Sequence, residues 1–133
     1  MRTYVDSGVL ITAARGTAPL STPALDVLSD KSRSFVSSDW VKLEVLPKAK
    51  YFRRHAEVEF YDLFFDGVSV WAPFETHLLA MAMKEATEHG MSAVDAIHVV
   101  LAASAGCEEL VTTENSRTAI HRTRLIRVTS IAP

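Results

Sequence analysis

Residues 91–106 read Met91-Ser-Ala-Val-Asp-Ala-Ile-His-Val-Val-Leu-Ala-Ala-Ser-Ala-Gly106. Apolar residues fall on nearly every side of the helix that this stretch predicts, which is typical of a helix packed on both flanks. Asp95 is the only carboxylate in the stretch, and a buried carboxylate is costly unless it has a partner or a metal ion. Asp95 therefore has two interpretations: an acid that caps the helix together with Ser92, or a ligand.

The composition predicts a single globular domain, residues 1–133, with a substantial core. Hydrophobic residues make up 48% of the chain and charged residues 23%. No apolar run reaches the length of a membrane-spanning helix, and the N-terminus lacks the long apolar segment of a signal peptide, so we expect no membrane partner. Cys107, the single cysteine, excludes an internal disulfide and a cysteine-based metal cage, and it favours a reducing, cytoplasmic location.

Short β-leaning runs alternate with helical patterns along the chain. Strands are predicted at residues 3–5, 34–37, 68–72, 109–113 and 125–129, with helices between them. This alternation predicts an α/β fold in which a short central parallel sheet of four to five strands is flanked by helices. Residues 48–66 predict one long helix, and Pro47 is expected to end or kink the helix before it.

Four acids occupy related places in this arrangement. Asp6 and Glu114 each follow a predicted strand, Asp95 lies in the first turn of a helix, and Glu44 lies one to two turns into another. The carboxyl ends of parallel strands face one way and the helices begin on that side, so we expect the acids to converge. The simpler alternatives are an N-cap for Asp6 and a solvated rim position for Glu44.

A convergent set of acids without matching Lys or Arg predicts a metal site. Such carboxylates cannot all stay ionised unless a cation neutralises them. Ligand sets made only of oxygen select Mg²⁺ or Mn²⁺, and acid clusters that hold these ions activate water for in-line attack on a phosphodiester. We therefore predict a catalytic Mg²⁺ site, with Mn²⁺ as a possible substitute, formed by Asp6, Glu44, Asp95 and Glu114.

Basic residues are unevenly distributed along a chain of net charge −2. Nine of the fourteen Lys and Arg residues fall in residues 42–54 and 117–127. A solvated face is the simpler interpretation, but two such patches beside acids also form a track for phosphates. The candidate contacts to an RNA backbone are Lys42, Lys48, Arg53, Arg54 and Arg117.

Four segments carry a resemblance to a known family: Tyr4-Val5-Asp6-Ser7, Leu43-Glu44-Val45, Ser92-x-x-Asp95-Ala96-Ile97-His98 and Val111-Thr112-Thr113-Glu114. With these segments the chain resembles the PIN-domain ribonucleases, and in particular the VapC-type toxins of bacterial and archaeal toxin–antitoxin pairs. The resemblance covers essentially the whole chain. The acids follow one another in the family's order, with separations of 38, 51 and 19 residues.

The resemblance implies a PIN-like three-layer sandwich, Mg-dependent endoribonuclease activity and a cognate antitoxin. It implies that Asp6, Glu44 and Asp95 bind the metal, with Ser7 and Thr112 as polar residues beside them, and that His98 is structural. The alternative role for His98 is metal binding, because it follows Asp95 by three residues and an acid-x-x-His pair can bind a metal. Glu114 departs from the pattern, which usually has Asp there, and Asn115 is expected to take part of that role. This departure keeps open an alternative: a catalytically inert PIN-like module that binds RNA or a partner protein.

Within the predicted helix over residues 48–66, the segment 58–65 carries too many apolar residues for one buried face. We therefore expect a homodimer, with an antitoxin segment covering part of the surface. Other acidic-cleft enzymes fit less well. A haloacid-type phosphatase needs Asp-x-Asp after the first strand, and here the sequence is Asp6-Ser7-Gly8. A phospho-receiver domain needs a pair of acids after the first strand and a Lys after a late strand, and this sequence has neither.

Overall fold

A computed structural model describes residues 1–133, and its strands and helices alternate as predicted. In chain order the elements are β1 (Arg2–Val5), α1 (Ser7–Arg15), α2 (Ser21–Leu28), β2 (Ser34–Ser37), α3 (Asp39–Tyr51), α4 (His55–Asp66), β3 (Val70–Trp71), α5 (Thr76–His89), α6 (Ala93–Ser104), β4 (Glu109–Thr112), a 3₁₀ turn (Ala119–Arg122) and β5 (Arg127–Ser130). None of the six helices combines the length and the apolar character needed to cross a membrane.

The five strands form one parallel sheet in the order β3-β2-β1-β4-β5, which confirms the predicted fold class. β1 is the central strand, and its Tyr4 is fully buried and pairs with Val36 on one side and Leu110 on the other. The chain builds β2 and β3 on one side of β1 and then crosses to the other side for β4 and β5. A crevice opens at such a switch point, outside the carboxyl ends of the strands. Asp6 directly follows β1 and lies there.

The helices fall into two groups that flank the sheet. Helices α1, α3 and α4 contact one another and α1 also contacts α2, whereas α5 and α6 pack against each other. In α6 every residue from Ala96 to Ala102 is buried, so the near-absence of charge in this stretch reflects packing on both flanks, as predicted. This burial fixes the start of α6, where Asp95 lies, against the rest of the molecule.

Helix α3 and helix α4 correct the prediction of one long helix over residues 48–66. Pro47 does not end α3, which runs on to Tyr51. Pro47 and Leu43 are both exposed, so water can reach the Leu43 carbonyl that a proline at this position leaves without its helical partner. The break comes later, at Arg53, whose φ of 53° is uncommon for a residue other than glycine. Neither Gly nor Pro marks this break in the sequence.

The amino-terminal edge of the sheet is held by ion pairs around Glu109, which is buried. Its Oε1 accepts a hydrogen bond from Arg33 Nη1 (2.5 Å), and its Oε2 accepts from Arg127 Nη2 (3.1 Å) and Thr129 Oγ1 (2.5 Å). Burial alone would raise the pKa of Glu109, but the hydrogen bonds from Thr129 and Arg33 and the two positive charges outweigh it and lower that pKa. This cluster therefore stabilises the end of the sheet opposite Asp6.

Candidate active site

Asp6 lies at the crevice between β1 and β4. Its backbone is extended and occupies the N-cap position of α1, but its side chain makes no capping hydrogen bond. Instead Oδ2 accepts a hydrogen bond from Thr112 Oγ1 (3.0 Å) and Oδ1 accepts one from Ser7 Oγ (3.3 Å). The carboxylate is therefore oriented by the two residues predicted to support it, and capping does not explain it.

Glu44, in the second turn of α3, lies beside Asp6. The ligand atoms of Asp6, Glu44 and His98 all lie within 4.8 Å of one another. Glu44 Oε1 is hydrogen-bonded to His98 Nε2. The side chain of Glu44 is 30% exposed, so it reaches solvent on one side while His98, which is 1% exposed, holds it on the other. Three segments distant in sequence thus meet at one point.

A buried chain of hydrogen bonds supports Glu44 through His98. His98 Nδ1 lies 2.7 Å from Tyr4 Oη, which in turn lies 2.8 Å from Ser38 Oγ. The Glu44 carboxylate can only accept, so His98 Nε2 carries a proton and donates it to Glu44. In the neutral imidazole Nδ1 is then an acceptor, and it accepts from the Tyr4 hydroxyl, which keeps its proton because burial raises the pKa of the phenol. Each hydrogen bond therefore has its donor on the side away from Glu44: Ser38 donates to Tyr4, Tyr4 donates to His98, and His98 donates to Glu44.

Tyr4 and Ser38 are site residues that the sequence analysis missed. A tyrosine inside a buried strand does carry a signal, because its hydroxyl needs a hydrogen-bond partner there. The sequence does not reveal which partner it finds. His98 has both ring nitrogens engaged, which fits the structural role expected for it.

Asp95 is half-buried at the start of α6. Its amide donates to Ser92 Oγ (3.2 Å), but the reciprocal bond of a capping box, from the Ser92 amide to the Asp95 carboxylate, is not formed. Burial raises the pKa of Asp95, and the negative charges of Asp6 and Glu114 raise it further, against smaller opposing effects of Ser92 and His98. The Asp95 carboxylate is thus close enough to Asp6 and Glu114 to feel their charges.

Glu114 stands at the exposed margin of the crevice. Its amide donates to Thr112 Oγ1 (3.1 Å), so Thr112 links the Asp6 carboxylate to the backbone at Glu114. Neither Glu114 nor Asp95 belongs to the tight group of Asp6, Glu44 and His98. The Asn115 side chain accepts from the Arg117 amide (2.9 Å) and so closes a local turn.

The four acids are suited to a divalent cation. None of them forms an ion pair with Lys or Arg; the only titratable partner is His98, which donates a hydrogen bond to Glu44. Burial and then the negative charges of Asp6 and Glu114 raise the pKa of Asp95, and a bound cation would offset that repulsion. The donor set consists of carboxylate oxygens, which Mg²⁺ and Mn²⁺ prefer.

The candidate RNA contacts differ in how freely their charges face solvent. The Lys42 ammonium lies over the rings of Trp71 (4.5 Å to the centroid) and Phe65 (5.4 Å), so it also takes part in packing. Lys48, Arg53 and Arg54 are exposed, and none of them forms an ion pair. Arg117 is exposed too, beside a small polar cavity of about 290 Å³ lined by Asn115, Ser116, Arg117 and Pro133.

The parallel sheet with an acidic crevice at its carboxyl edge defines an α/β protein with a candidate metal-dependent site. The family model described as the PIN domain matches residues 3–124, and the chain therefore belongs to the PIN-domain family. The family resemblance stated from the four acidic segments is confirmed. A comparison with curated proteins gives no significant match.

Several solved structures share this fold. The chain is similar to a chain of VapBC2 from Rickettsia felis bound to a promoter DNA fragment, with a TM-score of 0.73 and 14% identity over 98% of each chain. It is also similar to chains of DNA-bound VapBC from Salmonella typhimurium (TM-score 0.70, 15% identity, 99% of each chain) and of a toxin–antitoxin complex from Klebsiella pneumoniae (0.69, 15%, 97% of each). At these identities the likeness concerns the fold.

Proposed function

We propose that the protein is a metal-dependent endoribonuclease that cleaves RNA phosphodiester bonds. The observation that carries this proposal is the juxtaposition of Asp6 and Glu44 at the carboxyl edge of the sheet, with Asp95 and Glu114 close enough to affect one pKa and with no Lys or Arg paired to any of the four. Membership in the PIN-domain family supports it.

In this proposal Asp6, Glu44 and Asp95 hold Mg²⁺ or Mn²⁺, with Glu114 at the outer margin. When bound, such an ion supplies charge stabilisation at the phosphate and an activated water for in-line attack. The chain's own residues orient the ligands: Thr112 and Ser7 orient Asp6, and His98 holds Glu44. Ligands fixed in this way need no rearrangement before they bind the ion.

Cleavage of RNA by purified variants tests the nuclease. Asp6→Asn and Asp95→Asn are expected to stay folded and to lose at least about 100-fold of the Mg²⁺-dependent activity. Asp26→Asn is the matched control, because Asp26 is an exposed acid on α2 whose side chain makes no hydrogen bond or ion pair. Full activity in both site variants would show that the cluster is not the active site.

The inert alternative is motivated by Glu114, which is exposed and outside the tight group of ligand atoms. Thermal melting in increasing Mn²⁺ separates the two functions. The nuclease predicts stabilisation of the wild type and much less stabilisation of Asp6→Asn. No stabilisation of either protein at millimolar Mn²⁺ would favour a module that only binds RNA or a partner.

We also propose that the protein is a VapC-type toxin with a cognate antitoxin, since the similar structures are described as VapBC or toxin–antitoxin complexes. An apolar groove of about 280 Å³ lies between α2 and α4, at the segment predicted to meet a partner. Its apolar lining consists of Leu25, Leu28, Phe60, Leu63 and Phe64. In this proposal an apolar segment of the antitoxin occupies the groove.

A second apolar surface lies on α5 and α6, where Leu79, Met83 and Val94 are exposed. We propose that this face joins two copies of the chain. Light scattering at tens of micromolar is expected to give a dimer for the wild type and for Leu63→Lys, and a monomer for Met83→Lys. A monomeric wild type would refute the dimer. If Leu63→Lys is monomeric while the wild type and Met83→Lys are dimeric, the dimer interface lies on α4 instead.

A further inference from the structure

One face of helix α3 begins at the acidic crevice and extends away from it along the helix. Glu44, Lys48 and Tyr51 are spaced i, i+4 and i+7, so they lie on the same side of the helix. Because Glu44 faces the crevice, Lys48 and Tyr51 follow about 6 Å and about 10 Å farther along the helix axis. Both are exposed, and Tyr51 is 79% exposed. A ligand bound at Glu44 thus meets a cation and then an aromatic ring along one line.

The chain around the end of α3 is positively charged, and no nearby acid in the sequence offsets this charge. Residues 45–56 contain no Asp or Glu, whereas they contain Lys48, Lys50, Arg53 and Arg54. None of the four forms an ion pair. The negative end of α3 accounts for Lys48 and Lys50 in its last turn, but Arg53 and Arg54 lie beyond the helix. The surplus of free cations is complementary to a polyanion.

Planar groups stand among these cations. Tyr51 and Phe52 are 79% and 57% exposed and contact each other edge to face at 5.0 Å, and Arg54 lies 5.3 Å from the Phe52 ring. The left-handed backbone at Arg53 ends α3 immediately after these rings and places them at a corner. Exposed rings beside cations are what proteins use to bind unpaired bases, which stack on the rings while the phosphates meet the cations.

We propose that the α3–α4 corner, residues 48–54, is a subsite for a single-stranded segment of the RNA substrate. An unpaired base stacks on Tyr51, its phosphate lies against Lys48, and the strand continues past Glu44 into the crevice. This inference rests on the proposed nuclease function. Double-stranded RNA does not fit, because its base faces are covered by neighbouring bases. An apolar protein partner would account for the two rings but not for Arg53 and Arg54, which lie beyond the helix and form no ion pair.

Fluorescence anisotropy with the full chain in EDTA, which stops metal-dependent cleavage, tests the subsite. The probes are a labelled single-stranded oligoribonucleotide and a duplex of the same length. Tyr51→Ala is expected to weaken single-strand binding about 10-fold, within the range of base–aromatic stacking, while Tyr51→Phe keeps the ring and the affinity. Lys48→Gln should also lower the salt dependence of log K by about 0.7. Leu43→Ala, a change at another exposed apolar side chain of α3 (62% exposed), is the control and should bind like the wild type.

Two results would overturn the subsite: equal binding of RNA by Tyr51→Ala and wild type, or equal affinity of the wild type for duplex and single strand. Light scattering on the same samples tests the alternative that the corner binds a second protein chain. If Tyr51→Ala dissociates an oligomer and leaves RNA affinity unchanged, the corner is a protein interface. The nuclease proposal fails separately, when Asp6→Asn cleaves RNA as the wild type does, whatever the anisotropy shows.

Discussion

Replacing Tyr4 by Phe removes a single hydroxyl from the buried chain that ends at Glu44. In the wild type this hydroxyl donates to His98 Nδ1, which keeps the imidazole proton on Nε2, facing Glu44. Without it the proton can move to Nδ1, and an Nε2 lone pair then faces the carboxylate. Glu44 loses its support, and we expect a lower affinity for Mn²⁺ although no acid has been changed.

The size of the effect follows from how metal sites respond to loss of a supporting hydrogen bond, about 10- to 100-fold in affinity. A 10-fold loss corresponds to about 1.4 kcal/mol. At a Mn²⁺ concentration 100 times the wild-type Kd, the wild type gains about 2.7 kcal/mol of stability from the metal, and Tyr4→Phe would gain only about 1.4 kcal/mol. The metal-induced rise in Tm should therefore fall to about half.

The assay is the EPR signal of free Mn²⁺ during titration, combined with melting in EDTA and in Mn²⁺. Tyr61→Phe is the control, because Tyr61 is also fully buried but its hydroxyl makes no hydrogen bond to His98 or Glu44. It should bind Mn²⁺ like the wild type. An unchanged Mn²⁺ affinity in Tyr4→Phe, or an equal loss in both variants, would refute the idea that the chain through His98 positions Glu44.

Two further predictions concern pH and stability in the metal-free protein. Asp95 has a raised pKa when folded, so its ionisation costs stability as the pH rises from the ordinary pKa of Asp through the raised one. Asp95→Asn should therefore melt at a higher temperature than the wild type at pH 7 in EDTA, and the gain should vanish near pH 3; an unchanged Tm at pH 7 would contradict this. Glu109 has a lowered pKa, so its contribution is complete above its ordinary pKa and is lost as the pH falls through the lowered one. Glu109→Gln should lose about 2 kcal/mol at pH 7 in urea unfolding and progressively less at acid pH; a loss independent of pH would mean that packing and not charge is responsible.

Much of the architecture follows from periodic patterns in the sequence. The five short strands, the parallel sheet and the buried helix at Asp95 are predicted because each depends on local periodicity and on the rule that strand ends in a parallel sheet share an edge. The break at Arg53 is not predictable in this way. Residues 48–66 contain neither Gly nor Pro, so no residue type in the segment indicates the left-handed turn at Arg53.

The candidate site is predictable as a set of residues but not as a geometry. The sequence places Asp6, Glu44, Asp95 and Glu114 on one side of the molecule, but it does not indicate that Asp6 and Glu44 come together with His98 while Asp95 and Glu114 stay outside that group. The contact of Ser38, Tyr4 and His98 depends on side chains from three elements whose spacing only the folded chain sets.

The position of β1 in the sheet has a consequence during synthesis. β1 is made first, but one of its two neighbours, β4, comprises residues 109–112. Until β4 has left the ribosome, Asp6 lacks the hydrogen bond from Thr112, and Asp95 lies on a helix whose strand partner is missing. A nascent chain therefore carries the acids without the crevice. If the protein cleaves RNA as proposed, cleavage would begin only after β4 has paired with β1, and the incomplete chain would spare the messenger from which it is being translated.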